Sequence, residues 1–268
     1  MSSDVVVAVL TAAGSGSRLG HELPKALVPV GDEPLVRHAA RRLLAADALG
    51  CEVAAVVVTA PASYVDEFRV ALAGLPRVVV VPGGSTRQAS VAAGLAALTV
   101  PRDRSAGTDG PSDDDPPDDG PSDDDGVVVL VHDAARAFAP PVLVARVVAA
   151  VRAGHPAVVP GLAVADTIKR VEAPDASGAA RVADTVPRAQ LRAVQTPQGF
   201  DLTLLRRAHA AAADAAHDET LAASDDAGLV ERLGEPVWVV AGDPRAAKVT
   251  TAHDLAMAAF LAADEEDA

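Results

Sequence analysis

Residues 5–29 read VVVAVLTAAGSGSRLGHELPKALVP. The first six, Val5 to Leu10, form an unbroken apolar and mostly β-branched run, the pattern of a strand buried on both faces. Thr11 to Gly20 then drops to small residues, with glycine at 14, 16 and 20, and the cations Arg18 and Lys25 follow closely. A buried strand that opens into a glycine-rich turn presents backbone N–H groups at the carboxyl edge of a sheet, where open α/β folds bind phosphates. A plain tight turn is the other reading. Two familiar phosphate loops are excluded by spacing. Gly14 to Gly20 is one residue too long for the dinucleotide fingerprint, and the second strand ends Val58-Thr59-Ala60-Pro61 without the acid that grips a ribose. Nor does Gly14 to Lys25 supply G-x-x-x-x-G-K-[ST].

Working outward, strands and helices alternate. Pro34 to Leu49 carries Leu35, Val36, Ala39, Ala40, Leu43 and Leu44 at helical spacing. Strands are expected at 53–60 and 77–81. A short helix at 63–72 has Ser63 as candidate cap, and a helix at 85–98 has Ser85 or Thr86. After 101–126 the alternation resumes with a strand at 127–131, a proline-started helix at 141–153 and a short strand at 157–160. Residues 162–172 and 181–186 flank the turn Pro174 to Gly178 and read as a hairpin arm, not a further βαβ unit. Helices at 201–216 and 224–233, a strand at 237–241 and a helix at 250–262 complete the chain. Such alternation predicts an α/β fold, a mostly parallel sheet flanked by helices.

With 268 residues, 50% of them hydrophobic, the chain can bury a large core in one domain. Aromatics make up only 2%, so alanine and valine fill it. The net charge of -14 is concentrated: residues 109–125 hold nine aspartates and no lysine or arginine, and residues 264–267 are all acidic. The remainder is near neutral. Overall acidity argues against a nucleic-acid partner while leaving room for a cationic pocket. Residues 101–126, with DGPSDDD occurring twice, have no core-forming residues and read as a disordered acidic insertion. One cysteine, Cys51, excludes an internal disulfide. No apolar run reaches ~18 residues, so no membrane span is expected, and no signal peptide is read at the start. A cytoplasmic protein follows by default.

The strand-end rule brings Gly83-Gly84-Ser85, His132-Asp133 and the stretch 242–248 beside the glycine loop. Asp133 follows four apolar strand residues, a position suited to a metal ion or a sugar hydroxyl. His132 reads as a packing residue, Arg136 as either a phosphate ligand or a snorkelling cation. Arg87 and Lys169 read as surface cations, Asp225-Asp226 as a helix cap, and Lys248 is left open. No Ser-His-Asp arrangement, H-E-x-x-H or Cys/His cluster occurs. What remains suits nucleotidyl or phosphoryl transfer, which needs charge neutralisation and in-line positioning more than an acid–base pair.

Seven motifs in one order carry a resemblance: LTAAGSGSRLG…PKAL (10–27), GGSTRQASVAAGL (83–95), VHDAAR (131–136), DTIKR (166–170), QTPQGF (195–200), SDDA (224–227) and AKVT (247–250). Together they resemble the 2-C-methyl-D-erythritol 4-phosphate cytidylyltransferases of the non-mevalonate isoprenoid route. The resemblance implies a Rossmann-like single domain over 1–268, with a dimerisation arm at 162–188 that swaps across a homodimer. It implies transfer of CMP from CTP to methylerythritol phosphate, with Mg²⁺ or another divalent cation. Carried over by position, Ala12, Ala13, Gly14, Ser15 and Gly16 cradle CTP, and Gly84, Ser85 and Ser90 read cytosine. Asp133 and Ala134 lie at the ribose, Asp133 also on the metal side. Arg18, Lys25, Arg188 and Lys248 carry catalysis. Arg136, Thr167, Arg188, Thr196 and Ser224 bind the acceptor, Thr167 and Arg188 arriving from the partner's arm. Ser85 and Ser224 stand where many members have Asp and Thr, and Ala137 where many have Pro. Two other functions stay open: cytidylyl transfer to another polyol phosphate such as ribitol 5-phosphate, and a non-catalytic nucleotide sensor.

Overall fold

The computed structural model describes residues 5–14, 23–100, 124, 126–218 and 220–266. Most of the acidic insertion, together with Ser15, Gly16 and Arg18 of the glycine loop, lies outside them. The strands are β1 (Val6–Thr11), β2 (Pro29–Val30), β3 (Glu33–Pro34), β4 (Val53–Ala60), β5 (Val78–Pro82), β6 (Val128–Asp133), β7 (Ala157–Ala163), β8 (Ile168–Val171), β9 (Val182–Val186), β10 (Arg192–Val194), β11 (Gln198–Asp201) and β12 (Trp238–Ala241). The α-helices are α1 (Leu35–Leu44), α2 (Val65–Ala71), α3 (Arg87–Ala97), α4 (Pro141–Arg152), α5 (Leu202–Ala211), α6 (Asp226–Arg232) and α7 (Ala252–Glu266).

Eight strands form one sheet in the order β10-β7-β11-β6-β1-β4-β5, with β12 also paired to β7. The pairs β6–β1, β1–β4, β4–β5 and β7–β12 are parallel, while β10 and β11 run antiparallel to their neighbours. The expected Rossmann-like, mostly parallel sheet is present. Period-two alternation explains the valine run of β1. Val6, Ala8 and Leu10 join one core with Val36, Phe68 and Val144 of α1, α2 and α4. Val7 and Val9 join the other with Val91, Leu205 and Leu229 of α3, α5 and α6. Both faces of the strand are thus covered, which is why no polar residue interrupts it. Where α3 crosses β1 the fit is close: a Cβ at Gly94 would stand 2.5 Å from Val9 Cγ1. A smaller core under α7 unites Val30, Leu35, Phe138 and Ala258.

The arm is the antiparallel hairpin β8–β9, reversed by a loop in which Asp175 accepts hydrogen bonds from the Ser177 and Ala179 amides and Gly178 has φ of 84°. Nearly all its residues are exposed, Val171 and Val182 among them. Some local expectations need correction. Ser63 caps no α-helix; it sits in a 3₁₀ turn before α2, which starts without a side-chain cap. The helix expected at 201–216 ends at Ala211, and the one expected from Ser224 starts at Asp226 with Asp225 as cap. Thr86, not Ser85, caps α3, accepting from the Ala89 amide at 3.0 Å.

Candidate active site

The carboxyl ends of β1 and β6, the turn before α3 and the segment after β12 enclose a cavity of about 390 Å³. Its walls include Ala12, Ala13 and Gly14, Gly84 and Ser85, and Lys25, Asp133 and Lys248. The parallel register sets Thr11 beside Asp133. The Ala134 amide donates to the Thr11 carbonyl at 3.0 Å, and the Ala12 amide donates to the Thr59 carbonyl at 2.9 Å. Strand pairing therefore continues past the strand ends and fixes the loop roots against one another.

The Gly83-Gly84 turn is held from within. Ser90 Oγ accepts from the Gly84 amide at 3.1 Å and donates to the Thr86 carbonyl at 2.8 Å. A Cβ at Gly84 would lie 2.4 Å from Ala89 Cβ, so only glycine lets the turn sit on the start of α3. The segment after α5 straps this turn: Thr86 Oγ1 donates to the Ala216 carbonyl and Gln88 Nε2 to that of Ala212. It brings His217 Nδ1 to 3.4 Å from the exposed Ser85 Oγ.

Asp133 is the electrostatic centre. Oδ1 accepts from Arg87 Nε at 3.1 Å and Thr11 Oγ1 at 3.2 Å, and Oδ2 accepts from Lys248 Nζ at 2.7 Å. Burial alone would push this carboxyl up, but the Arg87 and Lys248 cations hold it far below the usual carboxylate range. Behind it, Arg87 Nη1 donates to Asp226 Oδ2 at 2.7 Å, and His209 Nε2 lies 2.8 Å from Asp226 Oδ1. Burial likewise opposes ionisation of Asp226, and Arg87 overcomes it. His132 beneath the site is driven down to about 4, chiefly by burial, so its ring is neutral at physiological pH. Its Nδ1 lies 2.9 Å from Thr196 Oγ1, which accepts from the Asp133 amide at 3.1 Å.

Of the residues expected around CTP, Ala12, Ala13, Gly14, Gly84, Ser85, Ser90, Asp133 and Ala134 all line the cavity, with Lys25 and Lys248. Ser15, Gly16 and Arg18 lie outside the described residues. The acceptor set is placed otherwise. Thr167 and Arg188 are exposed, on the approach to the arm and its return, and Arg188 donates to the Ala165 carbonyl. Ser224 is exposed ahead of α6, and Thr196 is buried under Asp133. Arg136 donates to the carbonyls of Ala246 at 2.7 Å and Val194 at 3.1 Å, which fastens the segment before Lys248. Lys169 is a surface cation, in line with its spacing.

Arg87 is the residue that spacing misread. It is no surface cation but a cavity-lining bridge between two carboxylates. The available signal was its position, the first residue after the α3 cap, in a helix whose amino end faces the sheet's carboxyl edge. Its partner Asp226 stands 139 residues away, and no local pattern connects them.

A divalent cation fits in a limited way. Among the described residues no cluster of three His, Cys, Asp or Glu side chains could cage one. Asp133 Oδ1 accepts from Arg87 and shares the Thr11 hydroxyl proton with the His132 carbonyl, while Oδ2 with one donor keeps a lone pair. One carboxylate oxygen at the wall of this cavity suits a divalent cation whose remaining ligands come from bound phosphates.

A family model described as IspD, 2-C-methyl-D-erythritol 4-phosphate cytidylyltransferase, matches residues 6–104 and 122–264. The chain is 48% identical over 256 residues to a curated protein of that name from Nocardia farcinica, covering 96% of this chain and 93% of the relative. A Saccharopolyspora erythraea protein of the same name is also 48% identical, over 94% of this chain and 97% of its own. The crystal structure of the enzyme of that name from Thermus thermophilus superposes with a TM-score of 0.67 at 36% identity, covering 97% of this chain and 100% of that one.

Proposed function

The chain belongs to the 2-C-methyl-D-erythritol 4-phosphate cytidylyltransferase family, and from that membership we infer that it transfers CMP from CTP to 2-C-methyl-D-erythritol 4-phosphate. The products are CDP-methylerythritol and pyrophosphate. One observation supports the cavity as the place of reaction: Lys25, Lys248 and Asp133 line the same space as residues 12–14 and Gly84, with Lys248 Nζ 2.7 Å from Asp133 Oδ2. A phosphate oxygen of the acceptor attacks the α-phosphorus of CTP. A P–O bond forms, the bond to the β-phosphate oxygen breaks, and pyrophosphate departs with that electron pair. The acceptor phosphate is already anionic, so no general base is required.

The residues' work is to hold two polyanions together. Each pair of unit charges at 4 Å repels by about 4 kcal/mol at an effective dielectric of 20, so several cations are needed. Lys25 and Lys248 provide two, and Arg18 on the same loop is assigned a third. Arg188 is assigned a fourth, supplied with Thr167 by the arm of a second protomer. Arg136, Thr196 and Ser224 complete the acceptor side, with Arg136 and Thr196 acting through the backbone they hold. Residues 12–16 cradle the triphosphate; Gly84, Ser85 and Ser90 shape the base subsite; Asp133 and Ala134 meet the ribose. A magnesium ion held by CTP and the free lone pair of Asp133 Oδ2 would neutralise phosphate charge. Homodimerisation through residues 162–188, a cytoplasmic location and the lack of nucleic-acid or membrane partners belong to the same proposal. Among the described residues no helix is long and apolar enough to cross a membrane.

An acceptor panel tests this reading. Methylerythritol phosphate is expected to be turned over far faster than ribitol 5-phosphate with CTP and Mg²⁺. Preference for ribitol 5-phosphate would reassign the acceptor, and CTP binding without turnover of any polyol phosphate would make the chain a sensor.

A further inference from the structure

Asp226 lies on α6, away from the cavity wall, yet it is 1% exposed and carries a charge. A buried carboxylate is costly unless it is paired. Here it accepts from Arg87 Nη1 at 2.7 Å on one oxygen and meets His209 Nε2 at 2.8 Å on the other. Arg87 in turn reaches Asp133 Oδ1 through Nε at 3.1 Å. Its third nitrogen, Nη2, is buried with no hydrogen-bond partner among the described residues. Nε and Nη1 are thus committed to joining two carboxylates, and the planar guanidinium sets their relative orientation, which a lysine's point charge cannot do. We propose that Asp226 is a positioning residue for the nucleotide site, acting through Arg87 to fix the plane of the Asp133 carboxylate.

The consequence follows from Asp133's crowded oxygens. Arg87 donates to Oδ1, Thr11 shares its one proton between Oδ1 and the His132 carbonyl, and Lys248 takes one side of Oδ2, which keeps a lone pair. If the carboxylate turns, that lone pair leaves the cavity and Lys248 moves with it. Asp226 also begins α6 immediately after Asp225, the cap, and Ser224, assigned to the acceptor side. One short segment thus ties the start of α6 to the nucleotide site. This inference rests on the cytidylyltransferase reading.

The test is a double-mutant cycle with Arg87→Gln, Asp226→Asn and the pair together, assayed with CTP, Mg²⁺ and methylerythritol phosphate. Melting temperature is followed in parallel. Wild-type turnover checks the underlying reading; without it that reading fails, whatever the variants do. Given wild-type turnover, each folded single variant is expected to lose about 10- to 100-fold in kcat/KM for CTP, the usual scale for a lost supporting residue. The double variant is expected to lose no more than Arg87→Gln alone, because Asp226 acts only through Arg87. The acceptor KM stays within about twofold of wild type. A merely structural role, loosening the start of α6, would instead raise the acceptor KM and leave kcat/KM for CTP intact. Should a single variant fail to fold, the double variant decides, since removing both partners leaves neither charge stranded. Wild-type kcat/KM for CTP in a folded double variant, or losses that add across the cycle, would overturn the proposal.

Discussion

Replacing Gly84 by alanine tests how closely the backbone of the base-side turn is fitted. The new Cβ would lie 2.4 Å from Ala89 Cβ and 2.8 Å from the Ala89 carbonyl carbon, where ordinary contact begins near 3.4 Å. Neither neighbour is the end of a flexible side chain, so the turn and the first turn of α3 must separate by about 1 Å. That motion also strains the 3.1 Å bond from the Gly84 amide to Ser90 Oγ. Overpacking of this kind costs about 1–3 kcal/mol, which for a domain of this size lowers the melting temperature by about 2–12 °C. Because Gly84 and Ser85 line the cavity, the KM for CTP rises with it. Gly14→Ala provides the contrast. A Cβ there meets nothing within 4 Å, so its melting temperature stays within ~1 °C of wild type while CTP, which needs the loop backbone close, binds more weakly. Calorimetry on both variants, with KM for CTP measured alongside, checks the pair. A Gly84→Ala enzyme with wild-type melting and wild-type KM would refute the packing argument.

Other outcomes follow from the same geometry. Lys25→Ala is expected to keep its fold by circular dichroism and lose more than about 10²-fold in kcat, the scale of one charge-stabilising group; near-normal turnover would remove Lys25 from the catalytic set. His132 titrates near 4 when folded against about 6.5 unfolded, so the unfolded chain binds the extra proton between those values. Stability therefore falls as pH drops from about 6.5 to about 4, by up to about 3 kcal/mol. Urea titrations across that window should show the slope in wild type and its loss in His132→Gln. Mixing the inactive variants Lys25→Ala and Arg188→Ala should restore roughly a quarter of wild-type activity, because one site in each mixed dimer is intact. No recovery after subunit exchange would argue against a shared site.

How much of this was legible in the chain varied with how local the signal was. The alternation of Val6, Ala8 and Leu10 against Val7 and Val9 carries the sheet's burial on both faces, and strand-end logic brought Asp133, Gly84 and residues 12–14 to one cavity. Gly178 and Pro174 announced the arm's reversal. Arg87 escaped because its meaning depends on Asp226, brought to it only by the tertiary fold. Arg136 was ambiguous for a related reason. Its hydrogen bonds go to the carbonyls of Val194 and Ala246, and backbone acceptors leave no mark in side-chain patterns. Thr196 shows the same limit, since its hydroxyl serves the backbone amide of Asp133 and the neutral ring of His132.

The most direct test of the central claim is pyrophosphate release from purified chain supplied with methylerythritol phosphate, Mg²⁺ and each of the common ribonucleoside triphosphates in turn. The account predicts rapid release with CTP, accompanied by CDP-methylerythritol. Release with another triphosphate and none with CTP would contradict it.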